Sequence, residues 1–299
     1  MRTAIKLSLI ILLVVLAAFI IRISTGNTDS PDEKKRQDKT IHSIQNHNTS
    51  RVLIEQKWDL PSILKEVSAI GYLDPDRMVC VQDEDGLLFI YNIRSSEIEK
   101  EIPFARPGDY EGLALVGKTA YVLRSDGIIF EIKEFYTSQK PLVTEHKTTL
   151  SEKQNTEGLC YDSRNNRLLI AIKGFEPDTK DYKGIYAFDL ENNKFVSTPV
   201  FKIDLKNDIF KDITKGKKDA VINPSGIALN PGTGDLYIIE ATRPKMIIMN
   251  KDGRITSLIP LKGKEFSQPE GVIFDTEGNL YISNEGKKNP GNILKVKLL

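Results

Sequence analysis

The chain has 299 residues, with 42 Lys plus Arg against 41 Asp plus Glu and a net charge of +1, so it carries no global field to gather nucleic acid or an anionic membrane. Nucleic acid is thereby excluded as a partner, and any charge-dependent function is local. The two cysteines, Cys80 and Cys160, lie inside apolar runs and not in a C-x-x-C spacing, so they read as small buried hydrophobes.

At the N-terminus Arg2 and Lys6 precede an apolar run over residues 7–21, which Arg22 closes. The run falls slightly short of the ~20 residues of a full span. With Arg22 snorkelling, residues 4–23 are long enough. No A-x-A cleavage site and no cysteine for lipidation follow, which favours an uncleaved signal-anchor helix over 1–23 above a removed signal peptide. The basic residues hold their end in the cytoplasm. The expectation is a single-pass protein of the inner (plasma) membrane, with the remainder on the periplasmic, extracytoplasmic side and the membrane as its first partner. Residues 24–50 contain almost nothing apolar and read as a disordered polar linker.

From residue 51 to 299 the sequence repeats. Four segments align: Glu111-Gly112-Leu113-Ala114, Glu157-Gly158-Leu159-Cys160, Ser225-Gly226-Ile227-Ala228 and Glu270-Gly271-Val272-Ile273. Ser68-Ala69-Ile70-Gly71 is a fifth copy, and a second apolar run follows each after a turn. The starts are 43, 46, 68 and 45 residues apart. Short β-rich runs at such intervals, separated by Asp-Gly, Gly-Asn and Asn-Asn turns, are the mark of four-stranded propeller blades. Third strands are readable at 87–91, 128–132, 184–188, 246–249 and 292–296, and fourth strands at 97–102 and 255–260. The last copy lacks its fourth strand, which residues 52–58 can supply, closing the ring and removing two sheet edges. The expected fold is all-β, a propeller of five four-stranded blades after one N-terminal helix. Six blades would require strands inside residues 207–221, which otherwise read as a Lys-rich insertion.

In an antiparallel meander the first strand begins where the second ends. One face therefore collects Glu66, Glu111, Glu157 and Glu270 about the axis. The ends of the second runs add Asp83, Arg124, Lys173, Glu240 and Glu285, and Asp109 precedes Glu111. Crowded carboxylates repel unless a cation or Lys/Arg offsets them. Hard oxygen donors on loops suit calcium, so the four glutamates are candidate metal ligands and Asp83, Asp109, Arg124, Lys173, Glu240 and Glu285 candidate ligand-binding residues. The alternative is that each Glu latches onto backbone N–H groups of the next blade, with Lys173 or Arg124 neutralising a metal-free funnel.

These segments also carry a family resemblance. Val81-Gln82-Asp83-Glu84 with Gly86, Gly108-Asp109-Tyr110-Glu111-Gly112, Glu157-Gly158-Leu159 with Tyr161-Asp162, Pro224-Ser225-Gly226-Ile227-Ala228, and Gln268-Pro269-Glu270-Gly271 through Tyr281-Ile282-Ser283-Asn284-Glu285-Gly286 resemble the SdiA-regulated family of phytase-like β-propellers, from about Trp58 to Lys297. Ala69 stands where the pattern has glycine, and Ile239-Glu240-Ala241 replaces a more polar stretch. The resemblance implies a propeller held outside the inner membrane and calcium binding. Two kinds of function follow. One is a module that offers this face to a protein or small-molecule ligand. The other is a calcium-dependent hydrolase, either phytase-like on phosphomonoesters or gluconolactonase-like on lactones, after the likeness of residues 224–238 and 269–283. Histidine chemistry has no support, since His42 and His47 lie in the linker and His146 in or beside an outer strand.

Overall fold

The structure is a computed structural model that describes residues 52–214 and 220–299. The expected signal-anchor helix and linker lie outside the described residues. Among the described residues no helix is long and apolar enough to cross a membrane.

Among the described residues twenty strands form five four-stranded antiparallel sheets. Blade I is β2 (Val67–Asp74), β3 (Arg77–Gln82), β4 (Leu87–Asn92) and β5 (Glu97–Pro103). Blade II is β6 (Tyr110–Val116), β7 (Thr119–Arg124), β8 (Ile129–Lys133) and β9 (Leu142–His146). Blade III is β10 (Thr156–Asp162), β11 (Arg167–Ile172), β12 (Tyr182–Asp189) and β13 (Lys194–Asp204). Blade IV is β14 (Pro224–Leu229), β15 (Leu236–Glu240), β16 (Lys245–Met249) and β17 (Ile255–Pro260). Blade V is β18 (Pro269–Phe274), β19 (Leu280–Asn284) and β20 (Asn292–Leu298), completed by β1 (Val52–Asp59). The pairing of β1 with β20 runs from Val52 opposite Leu298 to Asp59 opposite Asn292, as the missing fourth strand required.

The described part of the insertion after β13 holds two short helical turns and no strand. It is anchored by buried Phe210, Ala220 and Ile222. Five blades are therefore the architecture.

Both faces of each blade are covered, which is why the second and third strands are nearly continuous apolar runs. On β3, Val79 and Val81 face blade II, while Met78 and Cys80 face blade V. The same alternation gives five apolar clusters, one at each junction between neighbouring blades. Cys80 and Cys160 are free thiols in these clusters, and burial pushes Cys80 up to about 12.

All five inner strands share one irregularity. The register of β2, β6, β10, β14 and β18 against its partner slips at Ser68, Glu111, Glu157, Ser225 and Glu270–Gly271 respectively. A β-bulge leaves its extra residue unpaired and turns its side chain. The repeated Glu/Ser position is that residue, at the upper face, where the inner strands begin.

Candidate functional site

The upper end of the axis is a mouth built from three of these bulges. Glu157 is 1% exposed and Glu270 7%, and Glu111 beside them is partly buried. All three line a cavity of about 10 Å³, room for roughly one water-sized particle. Beneath them Ile70, Leu113, Leu159, Ile227 and Val272, one from each blade, form an aliphatic girdle. Below the girdle the channel widens into an apolar cavity of about 280 Å³ at the lower face. The girdle removes water from beneath the carboxylates, so their charge is felt at low dielectric.

The electrostatics follow from that burial. Glu270 is pushed from 4.5 to about 8, first by burial and then by Glu157. Burial also raises Glu111, reinforced by Glu157, Asp109 and Glu270. Glu157 is raised by burial, although Lys173 and Asn155 pull it down. Lys173 Nζ lies 2.9 Å from Glu157 Oε1, and Asn155 Nδ2 donates to the same oxygen at 2.9 Å. Burial alone would lower Lys173, but Glu157, with Glu270 and Glu111 behind it, holds it above the usual lysine range. Glu157 Oε2 and Glu270 Oε2 are buried and find no hydrogen-bond partner among the described residues.

A second acidic group sits beside the first, where blades V and I meet. Burial raises Asp83 to about 6, with Glu66 and then Glu285 as the next causes. Glu285 is raised in the same way, by burial and then by Glu66, and Gln268 donates to it. Glu66 thus belongs with Asp83 and Glu285, and the axial trio is Glu111, Glu157 and Glu270.

Two of the expected binding residues are engaged elsewhere. Glu240, 1% exposed, pairs with buried Lys245 at 2.6 Å. Arg124 forks onto Asp126 at 3.0 and 2.8 Å and lies over the Phe130 ring, beside Tyr110. His146 pairs with Glu131 at 3.0 Å at the end of β9.

At the two serine positions the side chain bonds to the neighbouring blade through a different contact from the expected Glu latch, a hydroxyl donating to a carbonyl. Ser68 Oγ donates to Tyr110 O at 2.6 Å, and Ser225 Oγ to Pro269 O at 2.7 Å, each reaching the next blade. The three glutamates are aimed into the mouth instead.

A feature of the repeat goes beyond the candidates read from the sequence. Two residues before each bulge stands a polar side chain: Glu66, Asp109, Asn155, Asn223 and Gln268. Asn155 and Gln268 contact the carboxylates of the mouth, and the signal is the spacing itself, acid or amide, any residue, then Glu or Ser before a small residue.

Fold and mouth together define the class: a five-bladed propeller with an acidic axial pocket. The chain matches the SdiA-regulated family over residues 42–289 and belongs to it. No curated protein matches the sequence. Among solved structures, the glutaminyl cyclase of Myxococcus xanthus is similar at 15% identity and a TM-score of 0.54, covering 82% of this chain and 95% of that one. The virginiamycin B lyase of Staphylococcus aureus is similar at 14% identity and a TM-score of 0.44, covering 82% and 74%. At such identities the likeness is one of fold.

Proposed function

We propose that this chain is a membrane-tethered, extracytoplasmic propeller that binds calcium at its acidic mouth and offers that face to a protein or small-molecule ligand. One observation carries the reading: Glu157 and Glu270 keep buried, unpartnered carboxylate oxygens beside Glu111, with Lys173 as the cation paired into the trio. Three carboxylates against one ammonium hold either protons or a further cation. The donors are all oxygen, and calcium accepts carboxylates at irregular spacing more readily than magnesium does.

Glu111, Glu157 and Glu270 would hold the ion, with Asp109 next to them. A bound ion would also polarise an oxygen of whatever ligand met it. Among the described residues no three acidic or imidazole groups already converge as a metal cage, so binding draws the side chains inward and loosens Glu157 from Lys173. The membrane tether rests on the apolar run 7–21 and its flanking Arg2, Lys6 and Arg22. β1 begins with Val52, opposite Leu298 at the end of β20.

Calorimetric titration of calcium into the propeller fragment, residues 50–299, is the test. Binding lost in Glu157→Gln and Glu270→Gln supports the site, and no binding at about millimolar calcium removes it. The same protein is assayed with p-nitrophenyl phosphate, phytate and lactones. Calcium-dependent turnover abolished by Glu157→Gln would replace the binding module with a hydrolase.

A further inference from the structure

A second cavity, open to the surface on one side, lies on the upper face, off the axis, between blades III and IV. The loop joining β11 to β12, together with Leu205 after β13 and residues 220–223 before β14, lines a cavity of about 360 Å³. Leu205, Ala220 and Ile222 supply apolar wall, and Phe175 and Val221 stand at its edge, 66% and 47% exposed. Exposed apolar side chains at the edge of a partly apolar cavity mark a place where an apolar body is received.

The buried cation in this wall is Lys183, 6% exposed, and Glu176, Thr179, Lys180, Tyr182 and Asn223 are the other polar side chains that line it. Its Nζ donates to Lys173 O at 2.5 Å and to Gly174 O, and an ammonium has a third N–H to give. Among the described residues Lys183 makes no ion pair within salt-bridge distance. Phe175 lies 5.0 Å from its Nζ, and Lys180 at the rim lies 5.9 Å from the same ring. The nearby acid, Glu176, is already satisfied by Gly184 N and Tyr186 OH. Burial lowers Lys183, while Glu176 and Glu240 oppose that.

The geometry points to a binding site here for a small organic monoanion, a carboxylate on a ring or a short apolar chain. The carboxylate takes the third N–H of Lys183, and the apolar body packs on Phe175, Leu205 and Ile222. One buried ammonium matches one negative charge. A doubly charged phosphate is disfavoured, because Glu176 lines the same cavity and would repel the second charge. The site is physically joined to the mouth, because Lys183 is bonded to the backbone of Lys173, whose side chain holds Glu157. It does not depend on calcium binding there.

The test is calorimetric titration of the full chain with phenylacetate, its neutral analogue phenylacetamide, and phenyl phosphate. Phenylacetate is expected to bind at about millimolar Kd or tighter, and each of the other two about tenfold more weakly. Lys183→Gln is expected to lose about tenfold, and Phe175→Ala, an exposed position whose change leaves the core intact, several-fold. Glu270→Gln, which leaves the Glu157–Lys173 pair intact, is expected to leave phenylacetate binding unchanged while weakening calcium binding, which separates this site from the axial one. Because Lys183 is buried, its variant is first checked for an intact thermal transition. If it unfolds, protection of Lys183 from reductive methylation by phenylacetate, read by mass spectrometry on the parent chain, takes its place. Equal affinity for phenylacetamide, indifference to Phe175→Ala, or no binding of phenylacetate would each overturn the assignment.

Discussion

Glu270 gains a proton on folding, because its carboxyl titrates near 8 in the folded chain and near 4.5 when exposed. Between those values the native state binds more protons than the unfolded one, so stability is full below about pH 4.5 and is lost as pH rises through about 8. Burial and repulsion from Glu157 are the cause. Glu270→Gln is therefore expected to raise the melting temperature near pH 8, equivalent to about 1–3 kcal/mol, with little change near pH 5. Thermal melts from about pH 5 to about pH 9 check this, and an equal effect at both ends would contradict it. Calcium at high pH should stabilise the parent in place of the lost proton, and do so less in the variant. Lys173→Met leaves the Glu157 carboxyl buried without its partner, so it is expected to cost about 3–5 kcal/mol at high pH, where the carboxyl is charged, and much less at and below neutral pH, where it takes up a proton. Urea unfolding at two pH values measures it. The axial glutamates were legible in the sequence because they recur before a glycine at a fixed place in three of the five copies. Glu240 and Arg124 were legible only as acid and base. Their partners, Lys245 across a hairpin and Asp126 in the next turn, are set by local register, which competes with the axis for the same charges.

The bulge is what converts a repeated strand into a repeated site. Its glycine lets adjoining inner strands approach: a Cβ on Gly226 would stand 2.3 Å from the carbonyl oxygen of Glu270. Gly226→Ala thus pushes β14 from β18, with an expected cost of about 1–3 kcal/mol and weaker calcium binding through the displaced Glu270. Denaturant midpoints and calorimetry on the one variant read both effects. Unchanged calcium affinity in a destabilised protein would separate the bulge from the site. Ser225→Ala removes the bond to Pro269 O and is expected to cost about 1–2 kcal/mol while leaving Glu270 in place. The inner three strands of every blade could be read from the sequence, since burial on both faces makes them apolar. Outer strands β9 and β13 were harder, because one side meets solvent and Leu142 and Val196 lie exposed among polar residues. The pairing of β12 with β13 also slips between Ile185 and Ala187, which breaks any period-two pattern.

At the scale of the ring, stability depends on eight residues from the far end of the sequence. β1 covers the edge of β20, and it brings Val52 and Ile54 to the junction of blades IV and V and Trp58 to that of blades V and I. Without it the last sheet has three strands and an open edge. A propeller fragment beginning at Leu60 is expected to melt well below the one beginning at Ser50 and to aggregate through β20. Val52 lies opposite Leu298 in the pairing, so those two ends are close enough for a hairpin turn. Joining residues 52–59 after Leu299 through a short turn, with the chain starting at Leu60, should restore the melting temperature, because the same strand pairs in the same direction. Recovery in that permutant and not in the truncated form locates the effect in ring closure. Equal melting of the truncated and intact fragments would mean that the five blades hold together without closure. In that case the acidic mouth would not depend on β1 either, since Glu270 enters it from the blade that β1 completes.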